Sequence, residues 1–479
     1  MELCVMTELI NSKPDFTDAF SDERIGKRAN IALNKLTTGR NSSIRRITST
    51  DAEQKSFYRL LNNESFTEEG IINTVVNRCG SLCSGRHVLC IQDTTEFNLN
   101  HGREGIKKKS GLGRTTKEGI LGFMLHSSLV VDAARSTALG YSSVRVWERA
   151  EDDPDSLERN YKQQPIEQKE SYKWIESARQ SKELLLSAKM ITVLADRESD
   201  MYDLIGGGIT DARTHLLIRS SSDRKTASGV KLSVHLNSLP VMHTYELEVR
   251  GDVRKNIVKR RAVMELKWSR VLLARPARSN ASLPETTEIN VVEAREQGAG
   301  SKGIYWRLLT THPVSCPQEA VQITEWYKQR WHIEQMHRLM KTQGMRIESA
   351  QLKKGWAIRK LTLLSMMAVL RILQMMLAYE DDSEQDIDEV FTEEEQQCLQ
   401  MINEQQQGST EKQKNQAAIG TLRWATWVIA RLGGWKGYQS AGARKPGPIV
   451  LQQGLAKFYA MYEGWKMFKN NMNKNVSSP

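Results

Sequence analysis

Three acidic side chains occupy positions suited to chemistry. Asp93 closes the apolar run VLCIQD (Val88 to Asp93), Asp196 follows MITVLA (Met190 to Ala195), and Glu334 sits in YKQRWHIEQMHRLMK (Tyr327 to Lys341) among Arg330, Arg338, Lys341, His332 and His337. Carboxylates at strand ends point to the edge of a sheet where ligands collect, and three gathered there are costly without a cation. Hard divalent ions with oxygen ligands are the natural counter-charge. Mg²⁺ takes one or two carboxylates plus waters and phosphate oxygens, so three acids suffice for two ions about 3.5–4 Å apart, a pair that activates a water or a 3′-hydroxyl in phosphodiester chemistry. Plainer readings stand beside this one: Asp93 as a turn residue, Asp196 as a helix N-cap ahead of Arg197 and Glu198, and Glu334 as half of an i, i+4 pair with Arg338 on a solvated face.

The elements that must position these acids follow from periodicity. At about 100° per residue, Tyr327, Arg330, Glu334 and Lys341 fall within an arc of about 60°, opposite Ile333, Met336, Leu339 and Met340, which predicts one amphipathic helix across the whole segment. Strands are predicted at Val88–Asp93, Gly122–Val131, Tyr141–Trp147, Met190–Ala195 and His215–Ser220, with a helix about Trp174–Leu186. Three strands, helix, strand, helix, strand make a mixed α/β sheet. Beyond Ile218 comes a β-rich insertion, where Tyr245, Leu247 and Val249 alternate with Glu246, Glu248 and Arg250.

The first 80 residues read as a small helical unit. Ile25, Ala29, Ala32, Leu33 and Leu36 form an apolar stripe beside Arg24, Lys27 and Arg28. Capping boxes are expected at Thr50–Glu53 and Ser65–Glu68, and the polar loop GRNSSIRRITST carries Arg40, Arg45 and Arg46. At the other end, Asn415 to Phe468 is helical in pattern, broken by LGGW and by RKPGP from Arg444. The expected divisions are a helical DNA-binding unit at 1–80, a catalytic unit at 81–379 with the insertion at about 221–311, and a C-terminal helical unit at 380–479.

Charge points to the partner. Across 479 residues, 68 Lys and Arg against 57 Asp and Glu give a net charge of +11, which favours a polyanion such as nucleic acid. Between Arg213 and Arg278 there are 15 basic and 5 acidic residues, so a local excess of ten carries nearly all of it. The counterweight is Glu380 to Glu395, with 10 acids and no base, expected as a solvated or linker segment. The six cysteines, Cys4, Cys79, Cys83, Cys90, Cys316 and Cys398, lack metal-finger spacing and read as free thiols. No basic stretch leading into an apolar one opens the sequence, so the expected location is the cytoplasm, on the nucleoid when DNA is bound. Leu361 to Tyr379 reads as a buried helix, since Arg371 and Gln374 interrupt it, and no membrane partner is expected.

IQDTTEF, LADRESDMYD and YKQRWHIEQMHRLMK resemble the signature blocks of the DDE transposases of the insertion-sequence-four family. Its Tyr-(2)-Arg-(3)-Glu-(6)-Lys pattern is met by Tyr327, Arg330, Glu334 and Lys341. The resemblance spans most of the chain: SDERIGKRANIALNKL is similar to the family's DNA-binding helix, and GFMLHSSLVV and WRLLTTHPV to its sheet and insertion strands. It implies a ribonuclease H-like core with a β-strand insertion, consistent with the 138 residues between Asp196 and Glu334. It further implies that Asp93, Asp196 and Glu334 bind two Mg²⁺ ions, with Mn²⁺ able to substitute, and that Tyr327, Arg330 and Lys341 contact the transposon end. By the same resemblance Trp306 stacks on a flipped base and Arg219 helps line the site. Arg338 and the α-helical Arg24, Lys27 and Arg28 join the expected DNA contacts. The implied partners are double-stranded DNA, as element ends and target, and a second copy of the chain. Two rival functions remain: a catalytically inactive DNA-binding inhibitor of transposition, and a metal-dependent nuclease of the same fold.

Overall fold

The computed structural model describes residues 15–39, 41–99, 110–149, 164–249, 259–300, 303–380, 385–438 and 445–476. Cys4, Arg40, Arg250 and Arg444 lie outside them. Ten strands form one mixed sheet: β1 (His87–Asn98), β2 (Gly113–Arg114), β3 (Leu121–Asp132), β4 (Ala138–Trp147), β5 (Met190–Ala195), β6 (Thr214–Arg219), β7 (His243–Val249), β8 (Arg260–Ala274), β9 (Thr286–Glu296) and β10 (Tyr305–Thr310). Across the sheet the order is β3, β1, β5, β6, β10, β9, β8, β7, with β4 and the short β2 both paired to β3. The pairings β1–β5 and β5–β6 are parallel and the rest antiparallel. This is a mixed α/β protein with a large mixed sheet, consistent with a ribonuclease H-like DDE domain. The inserted strands continue the same sheet, because Leu309 of β10 pairs with Ile218 of β6.

Alternation along the strands sorts side chains onto two faces. Leu89, Ile91, Leu194 and Leu217 join one core; Val88, Cys90, Ile191, Val193, Leu216 and Ile218 join the other. Four N-terminal helices, α1 (Glu23–Gly39), α2 (Ile44–Ile47), α3 (Asp51–Asn62) and α4 (Glu68–Leu82), contribute to the first core. The second lies under α5 (Tyr172–Leu184), α6 (Tyr202–Ile205) and α7 (Leu232–Ser238). The first also takes α8 (Pro317–Lys328), α9 (Trp331–Lys341), α10 (Gly355–Glu380), α11 (Glu393–Gln406), α12 (Leu422–Leu432) and α13 (Pro448–Val476).

α10 is the axis of that first core. It is long and apolar enough to cross a membrane, yet 94% of the relevant window is buried inside the protein. Its surroundings are α1, α3, α4, α9, α12 and α13, and apolar residues all round a helix suit such enclosure. Arg371 of α10 finds hydrogen-bond acceptors in Tyr459 Oη and the Val390 carbonyl, with Glu395 at 3.5 Å. The acidic segment is thereby corrected: in its described part Ile387, Val390 and Phe391 are buried, Glu395 is buried against Arg371 and Tyr459, and Glu389 pairs with Arg86 at 2.7 Å. The correction is partial: Glu389 and Glu395 answer arginines, while Asp386, Asp388, Glu393 and Glu394 stay exposed.

Three further corrections are local. β1 runs on to Asn98, so Asp93 lies within a strand and not at its end. The second capping position is Thr67, whose hydroxyl accepts from the Gly70 amide, and not Ser65. Thr50 does cap α3 through the Glu53 amide, but the Glu53 carboxylate accepts from the Ser49 amide, one residue before the expected partner. At the amino-terminal end of the parallel strands, His87, His215 and His312 cluster with Trp326. His215 and His312 stack at 4.0 Å, and Thr192 Oγ1 meets His87 Nε2 at 2.8 Å and His312 Nε2 at 2.7 Å.

Candidate active site

Register brings two of the acids level. β1 and β5 run parallel with Ile91 opposite Leu194, and two residues further along each chain stand Asp93 and Asp196. Neighbouring strands lie about 4.8 Å apart, so the two backbones are adjacent where β5 ends. Asp93 shares its face with Leu89 and Ile91, the face that α9 covers. There His337 Nδ1 lies 3.5 Å from Asp93 Oδ2. Glu334 stands one turn earlier on the same helix, paired with Arg330.

α9 is held down by Ile333, Met336, Leu339 and Met340, all buried, as their spacing predicts. Each such side chain is worth roughly 1.5–3 kcal/mol relative to exposure, which fixes the rotation of the helix and hence the direction of Glu334. The segment is nevertheless two helices. α8 ends at Lys328, and through Gln329 and Arg330 the amides bond to carbonyls three residues back, as Arg330 N does to Tyr327 O at 3.0 Å. That tighter winding changes the phase, so Tyr327 belongs to α8, Arg330 stands at the cap of α9, and Glu334 and Lys341 lie within α9. Arg338 is not the partner of Glu334; its guanidinium lies 5.2 Å over Trp331.

Around the acids the expected contacts divide. Tyr327 is buried, and its ring meets Trp306 edge to face at 5.6 Å. Arg219 donates to the Tyr305 carbonyl at 2.9 Å, and its charge, like that of Arg330 and Asp196, is felt at Tyr327. Trp306, Arg219, Tyr327, Arg330 and Asp196 therefore share one neighbourhood. Lys341 lies farther along α9, 5.4 Å over Phe97 and between the fields of Glu348 and Glu96. Arg24, Lys27 and Arg28 are exposed on α1. Arg24 pairs with Asp22 at 3.0 Å and Lys27 with Glu23 at 3.0 Å, and no contact among the described residues joins the three to the acids.

Each carboxylate has a local partner. Asp93 Oδ1 accepts from the Thr94 amide at 2.9 Å. Asp196 Oδ1 accepts from the Glu198 amide at 2.9 Å, so its capping reading holds as geometry, on a short 3₁₀ turn (Arg197–Ser199). Burial alone would lift the Asp93 carboxyl, but the His337 ring, the Thr94 amide and the Arg330 charge bring it below its ordinary value. Desolvation raises Glu198, and the charges of Asp196 and Asp93 add to this against the pull of Lys173.

Among the described residues no three ligating side chains are already gathered at metal-binding distances. Glu334 is engaged with Arg330, and Asp196 with a backbone amide. The donor chemistry still fits a hard divalent cation, since the acids offer oxygen alone.

Three residues of this neighbourhood escaped the sequence reading. His337 had a readable signal, since Glu334-Gln-Met-His337 puts it one turn from the glutamate. Lys173, buried at the start of α5 and lowered by desolvation within the fields of Glu170, Glu198 and Asp93, had none. Neither had Glu198, whose place depends on the turn after β5.

The stretch that matches a protein family runs from β4 through β5, β6, the inserted strands and α8 into α10; it contains Asp196 and Glu334 and begins after Asp93. Residues 140–371 of the chain match the family model of the transposase DDE domain.

Proposed function

We propose that the protein is a cut-and-paste DNA transposase. It binds the terminal inverted repeats of its element, cleaves there, and joins the freed 3′ ends to target DNA. A transposase DDE domain implies DNA transposition, and the observation that most supports the finer reading is the shared level of Asp93 and Asp196 beneath the helix that carries Glu334. In this reading Asp93, Asp196 and Glu334 hold two Mg²⁺ ions, or Mn²⁺ in their place. When bound, such ions lower the pKa of a water or 3′-hydroxyl and stabilise the leaving oxygen.

The chain's own residues do the rest. Glu334 turns from Arg330 toward the strand acids, which leaves the guanidinium to meet a phosphate. Lys341 extends the same helical face along the backbone of the DNA. Trp306, beside Tyr327, offers a ring to an unstacked base, and Arg219 lines the same wall. Arg338 and the exposed Arg24, Lys27 and Arg28 add phosphate contacts farther out. Two copies of the chain act together on paired ends. We further propose that residues 1–80 bind DNA, 81–379 catalyse, and 380–479 serve pairing.

The test is cleavage of a supercoiled plasmid bearing the element ends. Glu334→Ala should abolish cleavage while end binding stays near the parent's, since a ligand is lost and no phosphate contact is. Undiminished cleavage by that variant would overturn the assignment. Joined products separate a transposase from a nuclease, and cleavage of any kind separates both from an inhibitor.

A further inference from the structure

His337 is 8% exposed, and it interrupts an apolar packing surface made by Ile333, Met336, Leu339 and Met340. An imidazole placed there costs desolvation that a leucine would not. Nδ1 faces Asp93 Oδ2 at 3.5 Å, and Nε2 is buried with no hydrogen-bond partner among the described residues. The ring is thus oriented by one contact, and with the proton on Nδ1 that contact runs from donor to carboxylate. The Asp93 carboxylate meets little else: Oδ1 has the Thr94 amide and Oδ2 has His337. At 3.5 Å the contact is looser than a good hydrogen bond, as polar contacts at sites awaiting a ligand often are.

We propose that His337 is the positioning residue of Asp93: it sets the carboxylate rotamer presented to a divalent cation and ties that carboxylate to the helix bearing Glu334. The inference rests on the metal reading above. A ligating carboxylate free to rotate binds more weakly, and loss of such an outer partner costs about 10–100-fold in metal affinity. His337 serves both ends of the arrangement because it lies at i+3 from Glu334, so one helix rotation places the two together.

The experiment is Mn²⁺ titration of the full chain without DNA, read from the electron paramagnetic resonance signal of the free ion. The parent should bind Mn²⁺ and Asp93→Asn should lose it. His337→Leu should weaken binding by about 10–100-fold, while His337→Asn, whose amide places a donor near the Nδ1 position, should keep most of the parent's affinity. Thermal melts in metal-free buffer show whether each variant is folded. A folded His337→Leu with the parent's affinity would overturn the proposal, and so would His337→Asn falling as far as His337→Leu, which would make the role one of packing. If His337→Leu does not fold, His337→Gln decides: its amide is displaced from Nδ1, and parent-like affinity again overturns the proposal. A parent that takes up no Mn²⁺ sinks the metal reading itself, and this inference with it.

Discussion

Arg330 and Lys341 share a helix face and differ in what already neutralises them. Arg330 is engaged with Glu334 in an ion pair, whereas Lys341 sits over Phe97 in the fields of Glu348, Glu96 and Asp93. A cation already answered by a carboxylate releases fewer counterions when it meets a phosphate. We expect Lys341→Ala to flatten the dependence of log K on log salt for end binding by about one unit, and Arg330→Ala to flatten it by less. Binding isotherms at several salt concentrations measure both, and a parent-like slope for Lys341→Ala would remove Lys341 from the interface. At this scale the three acids were legible because each terminates or interrupts an apolar run. Their partners were not, since Thr94, Glu198 and Arg330 are chosen by rotamers and turns that spacing does not encode.

Elements were legible where one periodicity dominates. β5 runs from Met190 to Ala195 as its apolar run indicates, and the stripe of α9 is buried as its spacing requires. Ends and joints were less so. In the stretch Ser65-Phe-Thr67-Glu68, two hydroxyls compete to cap α4, and the fold selects Thr67 because Phe66 is fully buried between them. Thr67→Ala should therefore cost about 1 kcal/mol, while Ser65→Ala should stay within about 0.5 kcal/mol. Urea denaturation of the two variants checks this, and equal losses would contradict the assignment. The joint at Gln329 and Arg330 was hidden for a related reason: Tyr-Lys-Gln-Arg-Trp contains no Gly or Pro, so nothing in the residues announces the tighter turn.

The whole molecule depends on contacts between residues far apart in sequence. Arg371 meets Glu395 and Tyr459, and Arg86 meets Glu389, so two acids of the segment that composition marks as solvated are drawn inward by arginines that composition cannot locate. The histidines at the far end of the strands are another such assembly, and they set a pH response. Burial, with the neighbouring His215 acting on both, lowers His87 to about 4 and His312 to about 3. Both are neutral in the folded chain and take up protons first on unfolding, so their contribution is complete above the ordinary value near 6.5 and is lost as pH falls toward about 4. Melting temperature should drop between pH 7 and pH 5, and His87→Gln with His312→Gln should drop less; parallel curves would show that other groups govern the change. The ladder joining β6 to β10 has a mechanical corollary. The wall that bears Trp306 and the floor that bears Asp196 are woven into one hydrogen-bonded fabric. A duplex seated against both has to supply the compliance itself, so ends that kink cheaply, at pyrimidine–purine steps, should be processed fastest.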